Sequence, residues 1–221
     1  MQLEINGKKI SCNVKRKDVR HVYLRLKPGF QLEVVLPRKK NINIEGLLEK
    51  KRPWIKEKVE EISKAKRIFD DSEVLYRGES LRVKVYPAKK PRKGARLYKN
   101  VIFVYEDSEK KKKEILTDFI TTQTLDYVQK RVKKFSKELG ATYNKISAKE
   151  MKKWGYCTRE GNLFFNWRLV CLPERLADYV VLHELLHMNH FNHSRQFKKD
   201  MARYFIDYKE VEAMLKNYLI H

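Results

Sequence analysis

Cysteine is scarce in this 221-residue chain: Cys12, Cys157 and Cys171 are an odd number with no C-x-x-C pair. That excludes a disulfide framework and makes a reducing, cytoplasmic compartment the expectation. No run of about 18 apolar residues occurs, so no segment reads as a membrane span. The opening stretch MQLEINGKKI lacks the apolar core of a signal peptide. There is no repeat of solenoid length. Zinc-finger, helix-turn-helix and RNP signatures are missing, as is a glycine-rich phosphate cradle. Acids are the minority charge, 28 against 50 lysines and arginines, leaving a net charge of +22. Such an excess attracts polyanions. It is spread over Lys8–Lys9, Arg38–Lys40, Lys50–Arg52, Lys89–Lys93, Lys110–Lys113 and Lys130–Lys134 rather than gathered in one stripe. Charge of that kind implies at most non-specific nucleic-acid contact.

What is present describes a folded α+β protein. A hydrophobic content of 42% with 11% aromatics argues against disorder. Residues 1–107 read as an N-terminal β-rich region. Gln2–Ile5 and Lys9–Val14 flank an Asn6-Gly7 turn, the strongest short hairpin signal. Val22–Leu26 and Gln31–Leu36 flank Pro28-Gly29. A helix is expected over about 44–69, with Pro53 starting its second piece. Glu73–Arg77 pairs with Leu81–Tyr86, Pro87–Gly94 is a basic loop, and Val101–Tyr105 is a short strand. Residues 108–221 read as a second domain, although the two regions are compatible with one continuous domain. It opens on a long amphipathic helix, Glu109–Leu139, capped by Gly140. Strands at Lys145–Ala148 and Leu163–Asn166 then bracket a turn-rich Trp154–Asn162.

The stretch that carries chemistry is His183-Glu184-Leu185-Leu186-His187, followed by His190 and His193. Leu172–Leu182 reads as the start of one helix, apolar nearly all round and therefore buried. On it, His183 and His187 lie about 40° apart around the axis and about 6 Å along it, so both reach one ion. Glu184 stands one step round, placed to act on a zinc-bound water as general base. This is the H-E-x-x-H arrangement of zinc peptidases, in which Zn2+ keeps an open position for water. A third ligand comes from His190 or His193. His190 falls about 10 Å along the axis from His183 if the helix continues, too far for one ion. His193 swings back if the chain turns after about Asn189, with Asn189 and Asn192 tolerating a left-handed conformation. His193 is therefore preferred, and the spacing matches the metzincin set, with His190 in place of its glycine.

Three segments together resemble the YgjP-like metal-dependent hydrolases, relatives of the WLM and SprT-like zincins. They are KKWGYC with NLFFNWRLVCLP, then YVVLHELLHMNHFNHSRQF, and more weakly LRLKPGFQLEVVLP with KRPWIKEK. The resemblance implies a zincin-like minimal metalloprotease fold over the C-terminal part, built on the HExxH helix. It makes His183, His187 and His193 the metal ligands and Glu184 the general base. It also implies that Leu163–Trp167 is a strand beside the cleft, an edge for an extended peptide, with Asn166 and Arg168 positioning substrate. Lys153 and Tyr156 depart from the arginine and serine common in the family.

The leading expectation is a zinc-dependent metallopeptidase acting on peptide or protein substrates, including proteins associated with nucleic acid, as the SprT-like relatives imply. The alternative, which the YgjP-like resemblance implies, is a nucleoside triphosphate (UTP) pyrophosphohydrolase at the same metal site, with Lys153, Arg168 or Arg195 holding phosphate. A third reading is a nucleic-acid-binding protein with a structural zinc, which requires four protein ligands and hence His190 on the metal.

Overall fold

The computed structural model describes residues 1–27, 29–64, 68, 72–87, 94–218 and 220, and the chain divides into two compact units, Met1–Lys66 and Arg67–Ile220. The expected division at 107 and 108 draws its line elsewhere. Val74, Leu81, Ile102 and Val104 share one core with Ile120, Val128, Leu163 and Leu182.

In the first unit, strands β1 (Gln2–Ile5), β2 (Lys8–Lys17), β3 (Tyr23–Lys27) and β4 (Gln31–Pro37) form a sheet in the order β1-β2-β4-β3. The central pair β2–β4 is parallel and the outer pairs are antiparallel. Asn6 and Gly7 both take positive φ, 53° and 71°, as a tight two-residue hairpin turn requires. Helices α1 (Ile44–Lys50) and α2 (Arg52–Lys64) supply Leu48, Ile55 and Val59 to a core with Ile10, Leu32, Val34 and Leu36. The helix expected over 44–69 is in two pieces, as Pro53 implied: α1 is capped at Lys51, and Pro53 lies in the first turn of α2. Residues 65–67 and 69 of that expectation lie outside the described residues.

The second unit repeats the plan. Strands β5 (Glu73–Tyr76), β6 (Glu79–Tyr86), β7 (Gly94–Tyr98) and β8 (Val101–Tyr105) form a sheet ordered β5-β6-β8-β7, again with a parallel central pair between antiparallel outer ones. Its first turn, Arg77-Gly78, again has positive φ at both positions, 52° and 84°. The two sheets are copies of one strand plan with no visible sequence repeat. Strand β7 is unforeseen, being a five-residue run; residues 88–93 of the expected basic loop lie outside the described residues.

Helix α3 (Glu109–Leu139) occupies its expected span and ends on left-handed Gly140 (φ 62°), whose N–H donates to the Ser136 carbonyl. It packs against β7 and β8 and also against β9 (Lys145–Lys149) and α4 (Glu174–Leu186). The third sheet is ordered β10-β11-β9, from β10 (Gly155–Cys157) and β11 (Asn162–Asn166), with β11 parallel to β9 and antiparallel to β10. Strand β10 lies inside the stretch expected to be turn. A 3-10 turn at Leu169–Cys171 leads into α4, and α5 (Arg195–Tyr204) and α6 (Tyr208–Leu215) follow. The architecture is mixed α+β, as expected. Among the described residues no helix is long and apolar enough to cross a membrane.

Candidate metal centre

Helix α4 is placed from both ends. At its start, the Arg77 N–H donates to the Val170 carbonyl (2.8 Å) and the Gly78 N–H to the Cys171 carbonyl (3.0 Å). A β-carbon on Gly78 would stand 2.8 Å from Pro173 Cγ, so the β5–β6 turn is seated against the residue that caps α4. Arg77 also pairs with Glu174 across 3.0 Å. Along its length α4 buries Leu176, Val180, Val181, Leu182, Leu185 and Leu186, matching its apolar sequence. At its end, the N–H groups of Met188 and Asn189 donate to the carbonyls of Leu185 and Leu186, three residues back. This tightened last turn reverses the chain. The left-handed conformation expected of Asn189 and Asn192 is not used, since neither has positive φ. Ser194 Oγ then accepts from the Phe197 N–H (3.2 Å) and starts α5.

The reversal brings His193 back to His183 and His187, and the ligand atoms of the three lie within 4.8 Å of one another. His193 Nε2 and His183 Nε2 are 2.9 Å apart. His187 Nδ1 is 3.0 Å from the His190 carbonyl oxygen. Donation to that oxygen fixes the tautomer and leaves the Nε2 lone pair available to an ion. The Phe197 ring packs against all three imidazoles, with centroid distances of 5.1, 5.0 and 4.9 Å to His183, His187 and His193. Burial, with the neighbouring His187 and His193, pushes the His183 imidazole down to about 3, and burial also lowers His187 despite the carbonyl contact. Both therefore stay neutral, the form that ligates metal. His183 Nδ1 is buried and has no hydrogen-bond partner. Neutral imidazoles turned toward one another fit a bound cation. His190 is not part of the group: its Nε2 lies 2.8 Å from Asp200 Oδ2. The centre thus offers three ligands and an open side, against the four of a closed structural site.

Glu184 lines the same cleft as the three histidines, a space of about 420 Å³ also walled by Lys153 and Arg159. Its side chain is 7% exposed, and burial pushes its carboxyl up to about 7 against the opposing pull of Lys153. Cys157 is half-buried in the cleft wall, with Sγ 3.8 Å from Met188 Sδ; burial raises its thiol, so it is a packing group rather than a nucleophile. Beyond His183 and His193 lies a second recess of about 260 Å³ lined by Tyr179, Phe197, Met201 and Tyr208, with Lys198 and Glu212 also in its wall.

Asn166 and Arg168 do not join this group. Asn166 is fully buried; its amide donates to the carbonyls of Met151 (2.7 Å) and Lys153 (3.3 Å) and accepts from the Arg168 N–H (3.0 Å). It holds the loop that carries Lys153. Arg168 binds both oxygens of Glu150 at 2.8 Å and lies over the Trp167 ring. Arg195 opens α5 and does not line the cleft. The strand expected to form the free edge, Leu163–Trp167, is instead the central β11, and β10 and β9 are the edges. Tyr156 stacks on Phe164 (4.7 Å) and accepts from Lys149 Nζ at 3.0 Å. Phe197 and Asp200 are the site residues that sequence reasoning misses; only their position one and two helical turns after Ser194 could have suggested them.

A trio of imidazoles beside a buried carboxyl, open to a cleft, is the centre of a metal-binding hydrolase. Residues 20–218 match the family model described as YgjP-like, metallopeptidase domain, and the chain belongs to that family. Among solved structures, it is similar to the metallopeptidase zymogen jannalysin of Methanocaldococcus jannaschii. That likeness has 23% identity and a TM-score of 0.36, and covers 40% of this chain and 86% of the other. No curated protein matches the chain.

Proposed function

We propose that the protein is a zinc-dependent metallopeptidase in which Glu184 is the general acid–base. The observation that carries this reading is the convergence of three imidazoles and Glu184 on one open cleft. An all-imidazole set with no carboxylate suits zinc among the divalent ions. Zinc held there supplies a Lewis acid that acidifies water and polarises the scissile carbonyl. The Glu184 carboxylate would take up the proton released in the attack and return it to the leaving amine, a role that its place in the cleft beside the three histidines suits. Strand β10 has no second strand partner among the described residues, and Tyr156 and Cys157 line the cleft. An extended peptide pairs there by strand addition. The recess beyond His183 and His193 takes an apolar side chain of that peptide.

A second reading, hydrolysis of a nucleoside triphosphate such as UTP at the same centre, is favoured by Lys153 and Arg159 in the cleft wall. One experiment separates the two. Zinc-loaded wild type and Glu184→Gln are incubated in parallel with an unfolded protein and with UTP. The peptidase reading expects proteolysis that drops about 100- to 10,000-fold in the variant, with zinc content unchanged. Glu184-dependent pyrophosphate release without proteolysis would put the second reading first.

A further inference from the structure

The sheet β5-β6-β8-β7 has two unlike faces. Val74, Leu81, Ile102 and Val104 point into the core. The other face is set by the strand register. Lys84 and Arg96 flank Phe103 in one cross-strand row, Arg82 and Tyr98 flank Val101 in the next, and Tyr86 pairs with Tyr105 in a third. Tyr86 stacks on Phe103 at 5.9 Å and lies 6.0 Å from Tyr105. Tyr98 is 65% exposed and Tyr86 43% exposed. Lys99 Nζ lies over the Tyr98 ring. Among the described residues, none of Arg82, Lys84, Arg96 and Lys99 pairs with a carboxylate. Among the described residues the face has one acid, Glu73 at the β5 edge, opposite Arg82 in the register and accepting a hydrogen bond from Ser80.

The first sheet is an internal comparison, because it has the same strand plan. At the centre of its outer face stands Glu33, paired with Lys15 at 3.2 Å and Lys27 at 3.1 Å. Two cations of that face, Lys15 and Lys27, are thus answered within the sheet. In the second sheet Phe103 takes the central place, and among the described residues no carboxylate pairs with the cations beside it. Aromatic side chains on a sheet offer stacking surfaces to unpaired bases, and unneutralised lysine and arginine around them meet phosphates. A duplex hides its base faces and cannot use the rings.

We propose that the outer face of the β5-β6-β8-β7 sheet binds single-stranded nucleic acid, with bases stacked on Tyr86, Phe103 and Tyr98 and phosphates held by Lys84, Arg96 and Arg82. The net charge of +22 adds long-range attraction but does not choose a surface; the aromatic rows do. The assignment is independent of what the metal centre hydrolyses.

The test is fluorescence anisotropy of the full chain with labelled oligothymidylate and with a duplex of equal length, over a salt series. The single strand is expected to bind more tightly than the duplex. Tyr86→Ala with Tyr98→Ala is expected to weaken single-strand binding about tenfold at an unchanged salt slope. Lys84→Glu with Arg96→Glu is expected to weaken binding and flatten the slope by roughly two counterions. The same charge change at the exposed Lys133 and Lys137 of α3 is expected to alter affinity by less than about twofold, since charge there adds only to the general field. Tyr98→Ala alone, at so exposed a position, keeps the test valid if the double variant unfolds. The assignment is overturned by any of three results. These are no loss in the tyrosine variants, equal weakening by the α3 control, or displacement by heparin or polyglutamate as effective as by unlabelled oligothymidylate.

Discussion

Gly155 and Glu184 touch so closely that a β-carbon on Gly155 would stand 2.7 Å from Glu184 Cγ and 2.9 Å from Oε1. The glycine of the WGYC stretch is therefore the room in which the carboxylate sits. Strand β10 and helix α4 can meet at that spacing only because one of them has no side chain there.

Gly155→Ala should accordingly push Glu184 out of position without touching the histidines. A displacement of about 1 Å costs on the order of 100-fold in turnover. The expected result is that loss in kcat with full metal content by mass spectrometry. Undiminished turnover would mean that Glu184 works from another rotamer.

Metal-free protein should show the burial of Glu184 in its stability. The folded carboxyl titrates near 7 against an ordinary 4.5, so its contribution is complete below 4.5 and is lost as the pH rises through 7. The loss amounts to about 3 kcal/mol. Glu184→Gln should therefore melt higher than wild type at pH 8 and close to it at pH 4, both without metal. His183 works in the opposite direction, its contribution fading as the pH falls from 6.5 toward 3. Comparing variant with wild type at each pH removes that background.

Asp200 anchors the turn that supplies the His190 carbonyl to His187. Burial alone would raise its carboxyl, but hydrogen bonds from His190 and Gln196, with Arg203 nearby, bring it below the usual range. Asp200→Asn should weaken zinc binding about tenfold, as loss of an outer partner of a metal ligand does. Competition against a chromophoric chelator measures this, and equal affinity would show that the turn holds without its anchor.

Behind the metal helix, Asp178 of α4 accepts from Tyr127 Oη at 2.6 Å and from Arg131 Nε at 2.5 Å, both on α3. Its second oxygen meets the same guanidinium. Asp178→Ala strands a partly buried arginine and should cost about 3 kcal/mol. In a chain of this size that lowers Tm by about 10 °C. Calorimetry of the metal-free protein is the check, and a shift under about 2 °C would make the pair an ordinary surface contact.

The metal trio is legible in the sequence because the His183–His187 spacing is local helix geometry and His193 needs only one reversal. The means of reversal is not legible. Asparagines suggest left-handed residues, whereas the hydrogen bonds of Met188 and Asn189 close the turn with ordinary φ. Asn166 and Arg168 sit in a motif that reads as substrate-binding, yet a polar side chain beside a strand ties down a loop just as readily, as Asn166 does here, and only tertiary packing decides. Strand order is likewise a long-range property. The residues of β10 and β11 both suit a strand, but nothing local says which one forms the edge. Phe197 belongs to an amphipathic pattern that predicts burial without saying that three imidazoles bury it.

The clasp between the Arg77-Gly78 turn and the start of α4 has a consequence for biogenesis. The hairpin emerges from the ribosome long before the residues it must seat, and contacts between such distant segments form slowly because a large loop has to close first. The helix carrying His183 and His187 reaches its final pose only when that closure is made. Assembly of the complete histidine set is thus expected to follow that closure, and an ion bound at that stage adds its binding free energy to the folded state.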